Sequence, residues 1–388
     1  MHVVHSIEPG GTERTLCRIV RALNNDGMRH IVCTLRSAGP FASALGEDVE
    51  VVELRARRRD PLLFLRLARE IKARGVDLVH ARNWGTWTDS VLAARLAGRT
   101  GLLLGFHGLQ SQRRFTDAQR RRARWLRLNR CPALTLSAGL RDALVEQLGF
   151  SEPQIHIVPN GVNLKRFAPP GPEQRCAARK ALGLAADDFV IGNVGNLFDP
   201  VKGHSILIDA FSIVATRESR CHLVLAGYGP LESRLRAQVQ AAGLTDRVHF
   251  TGWVERVENV LAALDVFVLP SLSEGMSNAL LEAMAMALPS VVTDVAEHRR
   301  MFNRIDLEAL VPPGNAPLLA ESLLRLVRNA ELRAQQASRL FTLATGNYSF
   351  ARTVAGYRDV YAHLLAGRTQ GVASRRFSPV PAVGANVR

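Results

Sequence analysis

The segment Val266–Thr293, VFVLPSLSEGMSNALLEAMAMALPSVVT, constrains the fold more than any other stretch of the chain. Val266 to Pro270 is a short run rich in Val and Leu, the composition of a buried strand. Ser271 to Ser277 reads as a loop centred on Gly275. Asn278 is placed to cap a helix whose first turn is Ala279-Leu280-Leu281-Glu282. Ala and Met follow up to Pro289, which ends the helix, and SVVT opens another strand. Strand, loop, helix, strand is a βαβ unit, and folds built from such units place ligands at the carboxyl ends of their strands. The N–H groups of Gly275, Met276 and Ser277 then face outward with a helix dipole behind them, which favours an anion. Glu274 at the rim and Glu282 one turn inside the helix are eight residues apart, and both can accept hydrogen bonds from hydroxyls. Glutamates near a helix N-terminus are also ordinary partners of its dipole, so spacing alone leaves both readings open. A phosphate pocket flanked by hydroxyl acceptors suits a nucleotide-sugar.

At 388 residues the chain has room for two domains with full cores. No apolar run approaches the roughly 20 residues of a membrane span, and MHVVHSIEPGG leads directly into a strand and a glycine loop, without the pattern of a signal peptide. Five scattered cysteines without C-x-x-C spacing favour a reducing, cytoplasmic setting over structural zinc. The net charge of +15 asks for an anionic partner. Arg55, Arg57, Arg58 and Arg59 form one basic cluster. Arg113, Arg114, Arg120, Arg121, Arg122, Arg124, Arg127 and Arg130 form another, with Trp125, Leu126 and Leu128 interleaved. The second reads as a basic helix with an apolar stripe, suited to an anionic membrane surface, or else as a solvated arginine-rich face. A nucleic-acid partner is not expected, because no helix-turn-helix, RNP or zinc signature accompanies the charge.

In chain order, His2 to Ser6 reads as a strand, followed by a tight loop with Gly10 and Gly11 that opens a helix from Glu13 to about Leu23. Paired glycines let the backbone approach a ligand, although a plain turn serves as well. Val76 to His80 reads as a strand followed by Ala81-Arg82-Asn83, and Leu102 to Phe106 as one that delivers His107 beside Gly108. Pro169 to Leu184 has the composition of a linker. Phe189 to Val194 leads to Gly195-Asn196 and Lys202-Gly203, and Cys221 to Ala226 leads to Gly227-Tyr228-Gly229-Pro230. No internal repeat is present, nor a D-x-D motif of the kind that holds a diphosphate through a cation.

The central segment, S-x-x-E-G-x-x-x-x-x-L-E-A-M-A, resembles the E-x7-E signature of the family 4 glycosyltransferases. Gly10-Gly11-Thr12-Glu13 resembles the family's GG-x-E loop, Asp77 to Asn83 its D-x-V-H-x-x-N pattern, Ile155 to Asn163 its I-x-V-x-N-G-V-D/N stretch, and Gly227 to Pro230 its G-x-G-P turn. The resemblance spans about residues 2 to 365 and implies an α/β GT-B fold, two Rossmann-like doubly wound domains facing across a cleft. It divides the chain into an acceptor-side domain at 1–168, a linker at 169–186, a donor domain at 187–346, a helix at 347–366 returning to the first domain, and a disordered tail at 367–388. It implies a retaining, metal-independent hexosyltransferase using a UDP- or GDP-sugar. The acceptor would be a glycan or lipid-linked glycan at the cytoplasmic face of a membrane, in exopolysaccharide or lipopolysaccharide synthesis. His107 and Glu274 are implied to line the reacting centre. Gly10, Gly11, Asn196, Lys202, Gly227, Gly275, Met276, Ser277 and Glu282 are implied to bind the donor. Two positions depart from the pattern. Asn196 stands where the family carries arginine, and Ala296-Glu297 stands where it carries two glycines, a place expected to need a left-handed or close-approach backbone. These departures leave open a catalytically impaired paralogue that acts as a binding or scaffold subunit.

Overall fold

Near-continuous apolar runs such as VFVL and CHLVLA cannot present one polar face to water, so they demand cover on both sides, as in parallel sheets. The computed structural model, which describes residues 1–8, 10–24, 27–57, 60–98, 100–108, 114–302 and 309–369, meets that demand with two wholly parallel sheets sandwiched by helices. The first contains β1 (His2–Val4), β2 (Ile31–Thr34), β3 (Glu50–Glu53), β4 (Leu78–Ala81), β5 (Gly101–Phe106), β6 (Ala133–Thr135) and β7 (Ile155–Ile157), in the order β3-β2-β1-β4-β5-β6-β7. The second contains β8 (Phe189–Val194), β9 (Cys221–Ala226), β10 (Val248–Gly252), β11 (Val266–Leu269), β12 (Ser290–Thr293) and β13 (Leu310–Val311), in the order β10-β9-β8-β11-β12-β13. Each order reverses once, between β1 and β4 and between β8 and β11. Such a reversal leaves a crevice at the carboxyl ends of the strands, where a ligand can enter between diverging connections.

The last helix, Phe350–Thr369, belongs to the first sheet's core. Val354, Tyr357, Val360 and Tyr361 pack with Ile19, Leu23, Leu103 and Leu134. The chain reaches it beside its own earlier crossing: Val162 N–H donates to the Tyr348 carbonyl at 2.8 Å, and Phe350 N–H donates to the Val162 carbonyl at 2.8 Å. The Thr353 hydroxyl completes the junction on the Pro159 carbonyl at 2.9 Å. The helix runs to Thr369, beyond the expected end at 366, and takes the first three residues of the expected tail; 370–388 lie outside the described residues.

The stretch expected as a linker is mostly a helix, Pro172–Ala181, with Pro at its first turn as that position favours. Arg179 is buried and donates to Asp265 Oδ2 at 2.6 Å, while Arg175 donates to Asp265 Oδ1 at 2.5 Å, fastening this helix to the second sheet. The basic stretch also differs from expectation. Only Asp117–Trp125 is helical, started by a Thr116–Gln119 capping box. Leu126 and Leu128 point into the core of the first domain instead of forming an outward stripe, whereas Trp125 is 75% exposed among exposed Arg121, Arg122, Arg124 and Arg127. Arg58, Arg59 and Arg113 lie outside the described residues.

Candidate active site

The carboxyl ends of six strands converge on one cleft between the two sheets. β1 leads to Gly10 and Gly11, β4 to Arg82, β5 to His107, β8 to Gly195 and Asn196, β9 to Gly227, and β11 to the 271–277 loop, and all of these contribute to a cavity of about 320 Å³. Its lining includes His107, Glu274, Gly10, Gly11, Asn196, Lys202, Gly227, Gly275, Met276, Ser277 and Glu282, so every residue singled out from the sequence reaches the same space. It also includes Arg14, Arg18 and Asn193, which sequence reading passed over, and Arg82 and Asn160, which it placed in family motifs without a role. Arg14 and Arg18 carried a usable signal: they stand four apart on the helix Gly11–Asn24, and that spacing places them on one face.

Lys202 is set by backbone geometry. It ends a short 3₁₀ turn, Pro200–Lys202, and Gly203 follows at φ +72° against β11's connection, where a β-carbon would come within 2.0 Å of the Pro270 carbonyl oxygen. Leu272 N–H donates to the Val201 carbonyl at 2.7 Å, which holds the 271–274 loop against this turn. The result is a two-point contact: Lys202 Nζ donates to both Glu274 carboxylate oxygens, at 2.8 and 3.1 Å, and the Ser271 hydroxyl donates to Glu274 Oε2 at 3.0 Å. The pair is mostly buried, with 27% of the lysine side chain and 11% of the glutamate exposed.

The neighbouring helix, Asn278–Ala285, starts one residue earlier than expected. Ser277, not Asn278, is its N-cap, its hydroxyl accepting from Leu280 N–H at 3.3 Å. Asn278 is released for a longer reach, and its Nδ2 donates across the cleft to Thr15 Oγ1 at 2.9 Å and to the Gly11 carbonyl at 3.2 Å. Met276 also bridges the cleft, its sulfur accepting from Asn160 N–H at 3.1 Å. Gly275 allows a close approach to the first domain, since a β-carbon there would come within 3.1 Å of the His107 carbonyl. The helix ends at Ala285, before Pro289, with Ala287 in a left-handed conformation at φ 54°.

Glu282 is 9% exposed, and burial pushes its carboxyl up to about 7, with Arg18, Arg14 and Arg166 pulling the other way. At neutral pH it therefore exchanges a proton readily, while Glu274 lies against an ammonium. His107 is neutral: burial, reinforced by the Arg82 charge, lowers its pKa to about 3, and its Nε2 has no protein partner. A neutral imidazole can accept or donate one hydrogen bond at that nitrogen. Together the arrangement offers an anion a lysine and a helix start, and offers hydroxyls two carboxyl groups.

The Ala296-Glu297 departure resolves differently from expectation. Both residues lie in a helix, Ala296–Phe302, and neither is left-handed, so no special backbone is required. Glu297 instead reaches the first domain, where its carboxylate lies against Gly139 at the start of the helix Ala138–Leu148. Arg300 donates to Asp142 of that helix at 2.8 Å.

Comparison with known proteins agrees with this geometry. Residues 9–166 match the model described as Glycosyltransferase Family 4, and residues 188–329 match the one described as Glycosyl transferases group 1. The chain is 32% identical over 308 residues to the putative glycosyltransferase EpsF of Bacillus subtilis, covering 76% of this chain and 78% of that one. It is 28% identical over 279 residues to an Escherichia coli protein named UDP-Gal:alpha-D-GlcNAc-diphosphoundecaprenol alpha-1,3-galactosyltransferase, covering 69% and 71%. Among solved structures, Anabaena HepE in complex with UDP and glucose superposes with a TM-score of 0.81 at 22% identity, over 93% of this chain and 98% of that one. Two parallel α/β sheets about a common cleft, matched at that level, are the GT-B fold. The chain belongs to the family 4 glycosyltransferases.

Proposed function

We propose that this glycosyltransferase moves a hexose from a UDP- or GDP-sugar to a lipid-linked glycan, with retention and without a metal, in cell-surface polysaccharide assembly. The observation that carries the donor half is the Lys202–Glu274 pair beside the Asn278–Ala285 helix start, with Glu282 one turn further in. A diphosphate would displace part of the Glu274 contact and take the Lys202 ammonium together with the N–H groups of Gly275 to Ser277. Asn196 would add a neutral hydrogen bond, and Gly10, Gly11 and Gly227 would keep the backbone close to the ligand. Glu282 would accept from the ribose and Glu274 from the transferred sugar, with His107 beside it. The second sheet would serve the donor and the first the acceptor. Calorimetric titration with UDP, GDP and their common sugar conjugates, without metal, should show micromolar-range binding of one nucleotide. Absence of binding to all of them would sink the donor half and favour the scaffold reading.

The acceptor half draws on the diphosphoundecaprenol in the E. coli relative's name and on a second relative, the lipopolysaccharide core biosynthesis mannosyltransferase LpsB of Rhizobium meliloti. No helix among the described residues is long and apolar enough to cross a membrane. The exposed Trp125 and its surrounding arginines would place the protein on the inner, anionic face instead. Flotation with anionic vesicles at physiological salt should carry the protein upward, and Trp125→Ala should weaken that binding. A protein that stays at the bottom with every vesicle composition removes the membrane from the proposal.

A further inference from the structure

The cleft contains a buried positive charge that the donor reading leaves unused. Arg82 is 2% exposed and lines the cavity, yet Nε, Nη1 and Nη2 all lack a hydrogen-bond partner among the described residues. Its surroundings hold it in one place. Its N–H donates to the Val3 carbonyl at 3.0 Å, and its carbonyl lies against Gly105, where a β-carbon would come within 2.9 Å. The guanidinium lies 5.3 Å from the centre of the Tyr357 ring and beside the Tyr361 hydroxyl. Tyr361 is engaged elsewhere, with its hydroxyl 2.8 Å from His80 Nδ1.

No carboxylate among the described residues forms an ion pair with Arg82. Glu13 is near enough to feel its charge, but its Oε2 is turned towards Gly10. The other polar neighbours, His2, His80 and His107, are imidazoles that burial keeps neutral, and His80 and His107 each have an Nε2 with no partner among the described residues. A lone guanidinium removed from water is costly, because nothing nearby returns its solvation. Such a charge is kept where a ligand completes it, and a planar guanidinium fits two oxygens of a phosphate side by side.

The position decides whose phosphate this is. Arg82 follows β4 at the centre of the first sheet, and the groups beside it, Glu13, Cys17, His2, His80, His107 and Tyr361, all belong to that sheet, to the loop after it or to the two helices Gly11–Asn24 and Phe350–Thr369 packed on it. Lys202 and the Gly275–Ser277 backbone come from the second sheet.

We propose that Arg82 is a second anion site of the cleft, holding a phosphate oxyanion of the acceptor opposite the donor's diphosphate, with the unpaired His107 Nε2 beside it. This rests on the acceptor half of the function proposed above. Bound there, the acceptor's phosphate fixes where its sugar hydroxyl lies relative to the donor, which makes Arg82 a specificity-determining residue for phosphate-bearing acceptors.

The test uses the full chain, inorganic phosphate as the probe, and the variants Arg82→Met, Arg82→Gln and Lys202→Met. At constant ionic strength, phosphate should raise the melting temperature of the wild type and of Lys202→Met. Placed in Lys202→Met, which lacks the donor's ammonium, either Arg82 substitution should remove the response that remains, with phosphate affinity at this site reduced about 10- to 100-fold, as expected for a lost charge-assisted pair. The second variant guards against a misfolded first one. With a diphosphate-linked acceptor, the Arg82 variants should show a raised acceptor KM, while nucleotide affinity by titration stays as in the wild type. Equal phosphate stabilisation of Lys202→Met with and without an Arg82 substitution overturns the proposal, as does a response lost in Lys202→Met alone. Loss of nucleotide affinity in Arg82→Met would move the residue to the donor side and overturn it too. A phosphate response that needs Arg82, in a protein that binds no nucleotide, would leave the anion site standing and remove the transferase reading instead.

Discussion

Lys202→Ala lowers kcat/KM for sugar transfer by about 100- to 1,000-fold, the range for removing a charge that meets charge on the substrate in a sheltered site. Two effects combine. The diphosphate loses its ammonium partner, and Glu274 loses the two contacts of 2.8 and 3.1 Å that neutralise it. With only the Ser271 hydroxyl left, a largely buried carboxylate then faces the incoming phosphates. The second effect can be separated from the first. Glu274→Gln in the Lys202→Ala background removes the stranded charge, so nucleotide affinity by calorimetry should partly recover even though sugar transfer does not. If the double variant binds nucleotide no better than Lys202→Ala, the penalty is the lost ammonium alone. If Lys202→Ala keeps wild-type kcat/KM, Lys202 is no part of the donor site.

Glu282→Gln should change how stability depends on pH. The folded carboxyl titrates near 7, against 4.5 for an ordinary glutamate. Between those values the native protein holds a proton that the unfolded chain has released, so stability falls as pH rises through this window and levels off above it. The cost at pH 8 is about 3 kcal/mol. Glutamine carries no charge to desolvate, so the variant should melt above the wild type at pH 8 and converge with it as the pH falls well below 4.5, where Glu282 is neutral in both states. Nucleotide affinity should respond in the opposite sense. A carboxylate accepts ribose hydrogen bonds better than a carboxylic acid, so wild-type affinity should rise through pH 7 and the variant's should stay flat. Parallel melting curves for the two proteins across pH 5 to 8 would remove Glu282's raised titration, and with it both expectations.

The strands were the most legible part of the sequence. Phe189–Val194, Cys221–Ala226 and Ser290–Thr293 have the bounds expected from their apolar runs, because burial on both faces leaves little choice of residue. The central loop and its two glutamates were legible for the same reason, as they sit between two such strands. What was misread depends on contacts distant in sequence. Ser277 and Asn278 can both cap a helix, and the choice falls to Ser277 because Asn278 is claimed by Thr15 and Gly11 of the opposite domain. Leu126 and Leu128 sit among arginines and look like surface, yet they fill the core of the first domain. Arg82 was the least visible. An arginine after a strand reads as solvent-exposed, and its burial comes from Tyr357 and Tyr361, on a helix some 270 residues later in the chain.

The two passages of the chain between the sheets lie side by side, joined where Val162 bonds to Tyr348 and Phe350. One strap would let the two halves twist and slide freely. Two adjacent straps, pinned together by hydrogen bonds, remove the sliding and most of the twist and leave rotation about a single axis through the junction. Any opening of the halves would then follow a hinged clasp, with Asn278 on Thr15 and Arg300 on Asp142 as its fastenings on the far side. On reclosing, Lys202 and Arg82 would return to the same separation each time, so the proposed donor and acceptor sites would keep their register through the hinge and need not find it afresh.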